Sequence, residues 1–138
     1  MVCVYCGYRS QIYNSRRKRS NNLVWRRRRC LHCSAVFTTT EAPNLSSSWL
    51  VQAHTGALVP FSADKLYLSL YESLKHRTGA VSDARHLTNT IISKLYQLNN
   101  HGVIDQTMLI QIATVAMNRF DQVASTHYQA FHRYNNQA

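Results

Sequence analysis

With 138 residues, 45% of them hydrophobic and only four Gly and two Pro, the chain has the length and balance of one ordinary domain or two small ones, and not of a disordered or collagenous polymer. No apolar run approaches the roughly 18 residues of a membrane span, and the opening "MVCVYCGYRS" lacks the apolar stretch of a secretory signal, so a cytoplasmic protein with no membrane partner is expected. The net charge of +10 is uneven, because residues 1–48 hold nine of the 16 Lys and Arg beside one acid, Glu41, a basic footprint that points to a polyanion rather than to a merely solvated face.

All four cysteines lie in the first 33 residues, as two CxxC pairs, Cys3/Cys6 and Cys30/Cys33, with 23 residues between them. Zinc takes four thiolates tetrahedrally, and each CxxC turn can present two sulfurs to one ion. The spacer is slightly longer than the usual stretch of about 15 to 20 residues, which a β-hairpin arm absorbs. Two disulfides are the competing pairing, disfavoured in a cytoplasmic chain. Four protein ligands leave no open position for water or substrate, so the expected Zn2+ is structural. Its binding energy would stand in for a core that some 45 residues cannot supply. His32, inside the second pair, is expected as an exposed residue of the turn, and the other histidines as surface or boundary residues.

Between the pairs, "QIYNS" (11–15), "LVWR" (23–26) and, beyond them, "AVFTTTE" (35–41) read as short strands. "RRKRSNN" (16–22) is expected as the loop at the tip of the arm. Arg16, Arg17, Lys18, Arg19 and the run Arg26, Arg27, Arg28, Arg29 exceed what a zinc tetrathiolate of net charge about −2 needs beside it. The surplus suits nucleic-acid phosphates, to which a guanidinium can donate two hydrogen bonds. Trp25 is expected to pack on the zinc module, with base stacking as the alternative.

"APNLSSS" (42–48) reads as a linker. "WLVQA" (49–53) and "ALVPF" (57–61) then form a hairpin with Gly56 in its turn. The period changes to that of helices: 62–76 with Leu66, Leu70 and Leu74; a second from Ser82 as cap, carrying Leu87, Ile91, Leu95 and Leu98 and stopping near Gly102. Asp105 caps a third, with Leu109, Ile112, Val115, Ala116 and Phe120 on its apolar side. A fourth covers about 121–134, with Val123, Ala124, Phe131 and Tyr134. The fold class is α+β: a small N-terminal β zinc ribbon at 1–45, then a mainly α-helical domain at 49–136 that begins with a β-hairpin.

The chain resembles the NrdR family of bacterial transcriptional repressors over about residues 1–134. The resemblance rests on "CVYC" (3–6), "NSR" (14–16), "WRRRRCLHC" (25–33), "FTTTE" (37–41), "PFSADKL" (60–66) and "FDQVASTHYQAFHRY" (120–134). It implies a non-enzymatic, nucleoid-associated repressor of ribonucleotide reductase genes. In that family the zinc ribbon binds operator DNA, and an ATP-cone domain responds to ATP or dATP by changing the oligomeric state. By resemblance Arg16, Arg26, Arg27 and Arg28 are the leading DNA contacts. Val51, Ala53, His54, Gly56 and Lys65 occupy the cone's nucleotide positions, with Ala53 and His54 where the family carries a basic pair. A homo-oligomer is expected, as for repressors of paired operators. An enzyme is disfavoured, because hydrolysis needs an open metal position and reductase chemistry needs cysteines outside the metal site. The alternative function is a basic zinc-ribbon RNA-binding protein.

Overall fold

A computed structural model of the chain describes residues 1–98 and 101–132. They fall into two units, Met1–Pro43 and a second that begins at Asn44. The first unit is an antiparallel sheet of β1 (Ser10–Lys18), β2 (Leu23–Cys30) and β3 (Val36–Glu41), in that order. The first two strands run further than their β-branched and aromatic content suggests. β1 continues through the expected loop, pairing Arg16 with Trp25, Arg17 with Val24 and Lys18 with Leu23. The turn is therefore only a 3-10 turn, Arg19–Asn21, closed by Asn22 in the left-handed region at φ 50°. Consecutive side chains on a strand point to opposite faces, so adjacent cations are separated while their backbones pair. A register shift between Ile12 and Asn14 places a bulge at Tyr13. Among the described residues only Cys3, Cys30 and Phe37 are buried here, with Ala35 packed on them.

The second unit opens where a linker was expected. α1 (Leu45–Ser48) is a single turn in which the hydroxyls of Ser47 and Ser48 donate to the Asn44 carbonyl at 3.0 and 2.9 Å. β4 (Leu50–Gln52) and β5 (Leu58–Pro60) form the expected hairpin, with Gly56 at φ 84° in its turn. A third strand, β6 (Val103–Asp105), escaped the sequence reading and lies parallel to β4 on its other side. Gly102 leads into it at φ 74°, and a Cβ there would sit 3.1 Å from the Ser48 carbonyl, so the position needs glycine.

Four further helices complete the described part of this unit. α2 (Ala63–Leu74) starts at Ser62, whose hydroxyl accepts the Lys65 N–H at 3.2 Å, and buries Leu66, Leu70 and Leu74. α3 (Ala80–Leu98) begins before Ser82. That hydroxyl donates to the Gly79 carbonyl, which also accepts the Asp83 N–H, so Ser82 sits inside the first turn and does not cap it. Leu87, Ile91 and Leu95 are buried as expected, but Leu98 is exposed. α4 (Gln106–Phe120) is capped by Asp105, which accepts the Met108 N–H at 3.1 Å. Its buried residues are Ala113 and Met117, while Val115 and Phe120 face solvent. α5 (Gln122–His132) buries Ala124, Ser125 and Tyr128, and Val123 and Phe131 are exposed. Tyr134 and the end of the expected second domain lie outside the described residues. Trp49 anchors the core edge-on between Phe61 and Tyr96, at 5.5 and 4.8 Å. Among the described residues no helix is long and apolar enough to cross a membrane.

Candidate metal centre, basic sheet and pocket

The two CxxC segments fold as matching turns. In the first, the Gly7 N–H donates to the Cys3 carbonyl at 3.0 Å and the Tyr5 N–H reaches the Cys3 sulfur at 3.4 Å. In the second, the N–H groups of His32 and Cys33 reach the Cys30 sulfur at 3.4 and 3.5 Å. Each turn closes through a left-handed residue, Gly7 at φ 75° and Ser34 at φ 60°. The result brings all four sulfurs within 4.8 Å of one another, with Cys3–Cys33 at 3.8 Å and Cys6–Cys30 at 3.4 Å. Those separations exceed a disulfide bond of about 2.05 Å and bracket the edge, about 3.8 Å, of a tetrahedron built on Zn–S bonds of about 2.3 Å. His32 is exposed, outside the sulfur cluster, and stacks on Tyr8 at 4.4 Å, joining the two turns.

The thiols do not ionise independently. Burial opposes the Cys30 thiolate, but the N–H groups of Cys33 and His32 and the thiols of Cys6 and Cys33 outweigh it and draw its pKa down to about 6. The Ala35 N–H favours the Cys33 thiolate, yet Cys6, burial, Cys30 and Cys3 together push that pKa up to about 12. Four thiolates this close need a cation among them, and a dication of zinc's softness fits the donor set.

β2 leads from the arm straight into Cys30, and its alternation divides the arginine run. Arg26 pairs across the sheet with Ser15 and Thr39, and Arg28 with Ile12 and Phe37. On this face Arg26 donates to Glu41 Oε2 from Nε at 3.1 Å and Nη2 at 3.0 Å, and to the Ser15 hydroxyl at 3.2 Å. Arg28 donates to the Thr39 hydroxyl at 3.2 Å, and both arginines are half-buried. Trp25 pairs with Arg16, Arg27 with Asn14 and Arg29 with Gln11, so these occupy the opposite face. Arg16, Arg27 and Arg29 are exposed there, Trp25 is half-buried, and Arg29 lies 5.1 Å over the Tyr13 ring. Arg17, Lys18 and Arg19 are exposed at the arm's end, where they and Arg26 line a hollow of about 590 Å³ with Glu41 at its rim. The sheet thus carries cations on both faces: Arg26 and Arg28 are tied down on one, and Arg16, Arg27 and Arg29 are available on the other.

In the second unit, Val51, Ala53 and Lys65 line a pocket of about 330 Å³, while His54 and Gly56 are exposed hairpin residues outside its lining. The sequence reading missed its far wall, which comes from Gln106, Ile110, Tyr128 and His132. His132 Nε2 and the Ser69 hydroxyl are hydrogen-bonded at 3.2 Å, and burial lowers the His132 pKa. Burial also lifts the Tyr128 pKa to about 12, against the pull of Ser69. Among the described residues of the lining, Lys65 is the one formally charged side chain at neutral pH.

Residues 1–41 match the family described as transcriptional repressor NrdR-like, N-terminal domain, a zinc ribbon. Proteins named transcriptional repressor NrdR resemble nearly the whole chain. The one from Afipia carboxidovorans is 30% identical over 134 residues, 96% of this chain and 84% of its own length. That of Sinorhizobium medicae is 30% identical over the same shares, and that of Azorhizobium caulinodans is 28% identical over 96% of this chain and 76% of its own length.

Proposed function

The chain belongs to the NrdR family of transcriptional repressors, and from that premise we propose that it is a repressor whose zinc ribbon binds operator DNA and whose helical unit answers to a nucleotide. The observation that carries this reading is the strand β2, which supplies one cysteine of the four-sulfur cluster at its end and exposed guanidinium groups along its length. The four cysteines hold one structural Zn2+. The ion supplies no reactive position and fixes the sheet on which the cations stand. Arg16, Arg27 and Arg29, with Arg17, Lys18 and Arg19 at the arm's end, neutralise phosphates and leave one or two guanidiniums to reach guanine edges. Arg26 and Arg28, bonded to Glu41, Ser15 and Thr39, chiefly brace the sheet.

The regulated genes are those of ribonucleotide reductase, and ATP or dATP is the effector, received in the pocket beside Lys65. That pocket holds Ala53 and apolar walls where a polyphosphate would want cations. A charge-assisted hydrogen bond contributes about 1.5–3 kcal/mol, so nucleotide is held weakly here. The repressor acts as a homo-oligomer in the bacterial cytoplasm.

The test is fluorescence anisotropy with zinc-loaded protein on the promoter of the host's ribonucleotide reductase genes and on a scrambled duplex, each with no nucleotide, ATP or dATP. Tighter binding to the promoter, responsive to nucleotide, is expected. Equal binding to both duplexes in every condition, with structured RNA competing better than either, would overturn the reading in favour of an RNA-binding protein.

A further inference from the structure

We propose that the apolar groove between α3 and α4 receives helix α2 of a second copy of this chain, so that the helical units assemble head to tail. The inference rests on the reading above that the protein acts as a homo-oligomer, and it names the two surfaces that meet.

The groove measures about 570 Å³ and is walled by Leu87, Ile91, Ile112, Val115, Ala116 and Phe120. Val115 and Phe120 are 52% and 42% exposed, although they belong to the stripe that the sequence assigns to a core. Lys94 on α3 and Arg119 on α4 also line it. Both are exposed, neither has a hydrogen bond or ion pair among the described residues, and no acidic side chain lines the groove. Its complement is therefore an apolar ridge flanked by carboxylates.

Among the described residues, α2 presents such a ridge. Asp64, Leu68 and Glu72 are spaced four apart on α2, which places them along one stripe of the helix. All three are exposed, Leu68 at 55%. The two carboxylates stand about 12 Å apart along the axis, at 1.5 Å per residue, with the leucine midway. Asp64 has no partner among the described residues. Glu72 meets only the exposed Lys75 one turn on, a surface pair readily exchanged for another.

No residue of α2 lines the groove. One copy can thus offer its ridge while its own groove stays open to the next, a heterologous contact that propagates until a ring closes or a filament grows. Groove-to-groove pairing about a two-fold axis is disfavoured, because it sets Lys94 and Arg119 against their own copies.

The experiment is sedimentation velocity on the full zinc-loaded chain over a concentration series. The samples are wild type, D64K/E72K, K94E/R119E and an equimolar mixture of the two variants. Each variant alone places like charges across the contact and is expected to weaken association by about tenfold or more. The mixture restores opposite charges at both junctions and is expected to recover assembly. Leu68→Ser, which keeps every charge, is expected to weaken association as well, and far-UV circular dichroism checks that each variant keeps its helices. A wild type that stays monomeric throughout overturns the homo-oligomer reading and this inference with it. A wild type that assembles while the variants match it, or a mixture that fails to recover, overturns this interface alone.

Discussion

Stripping the metal is the perturbation whose outcome the structure constrains most. In Met1–Pro43 the buried side chains are Cys3, Cys30 and Phe37. Two of those three belong to the cysteine cluster proposed to hold the ion, which leaves Phe37 as the one buried apolar side chain independent of it among the described residues. Burying a phenylalanine contributes about 1.5–3 kcal/mol, whereas a structural zinc contributes about 10–16 kcal/mol at neutral pH. The metal term is several times larger, so the sheet is expected to unfold when zinc leaves. The helical unit has its own core around Leu70, Leu74, Ile91, Ile104 and Met117 and is expected to stay folded. Amide correlation spectra recorded before and after chelation, with zinc content measured on the same samples, read the two units separately. Peaks from residues 10–41 should collapse and those from 63–132 should hold, DNA binding should vanish, and added zinc should restore both. A zinc-free sample that keeps its sheet peaks would refute the reasoning, because the strands would then be holding themselves.

Two further outcomes follow from named contacts. Replacing Arg27 and Arg29 by Ala should lower the slope of log affinity against log salt by about 1.8, since each neutralised phosphate accounts for about 0.9. Replacing Arg26 and Arg28 should change the slope less and lower the thermal stability of the ribbon, and equal slopes for the two pairs would refute the assignment of faces. Asp121 joins the α4–α5 corner to the end of α2: it accepts the Ala124 N–H at 3.0 Å and meets His76 and Arg77 at 3.1 and 3.0 Å. The Ala124 N–H first, then His76 and Arg77, hold its pKa at about 2, below the ordinary 3.8. Because the folded value is the lower one, its contribution is complete above pH 3.8 and is lost as pH falls towards about 2. Urea midpoints of Asp121→Asn should be flatter than wild type across that window, and an unchanged acid slope would exclude Asp121 as the source.

The four-cysteine cluster was legible because its chemistry is local: two CxxC turns and the absence of other cysteines bring the same four sulfurs together. Asp105 as a cap and the Leu66/Leu70/Leu74 stripe were legible for the same reason, since capping and helical spacing act within a few residues. The end of the arm was not. Arg16, Arg17 and Lys18 have no strand preference of their own; they are extended because Trp25, Val24 and Leu23 pair with them from the returning strand, and pairing overrides propensity. β6 was hidden because three residues gain their identity only from β4, some 50 positions earlier. α4 carries two apolar stripes, one through Ile112, Val115 and Ala116 and one through Ala113 and Met117. Only its packing against α3 and α5 decides which is core. The pocket beside Lys65 was half legible, since its hairpin wall is contiguous in sequence and its Tyr128 and His132 wall arrives from the last described helix.

The crowding of arginines against half a metal site has a physical reading in this geometry. Zinc with four thiolates carries a net charge of about −2, which a neighbouring guanidinium eases, yet Arg26 and Arg28 are already engaged with Glu41 and Thr39. Alternation along β2 then leaves Arg27 and Arg29 on the other face, beside Arg16 and Trp25. A guanidinium on a flexible loop would lose side-chain and backbone freedom on meeting a phosphate. Placed on a strand that ends in the ligand Cys30, it has lost the backbone share already, in the folding that the metal drives. On the function proposed above, zinc would support DNA affinity without touching DNA. Chelation and the Arg27/Arg29 substitutions should therefore remove the same binding energy by different routes: the first should also melt the sheet, and the second should leave it folded.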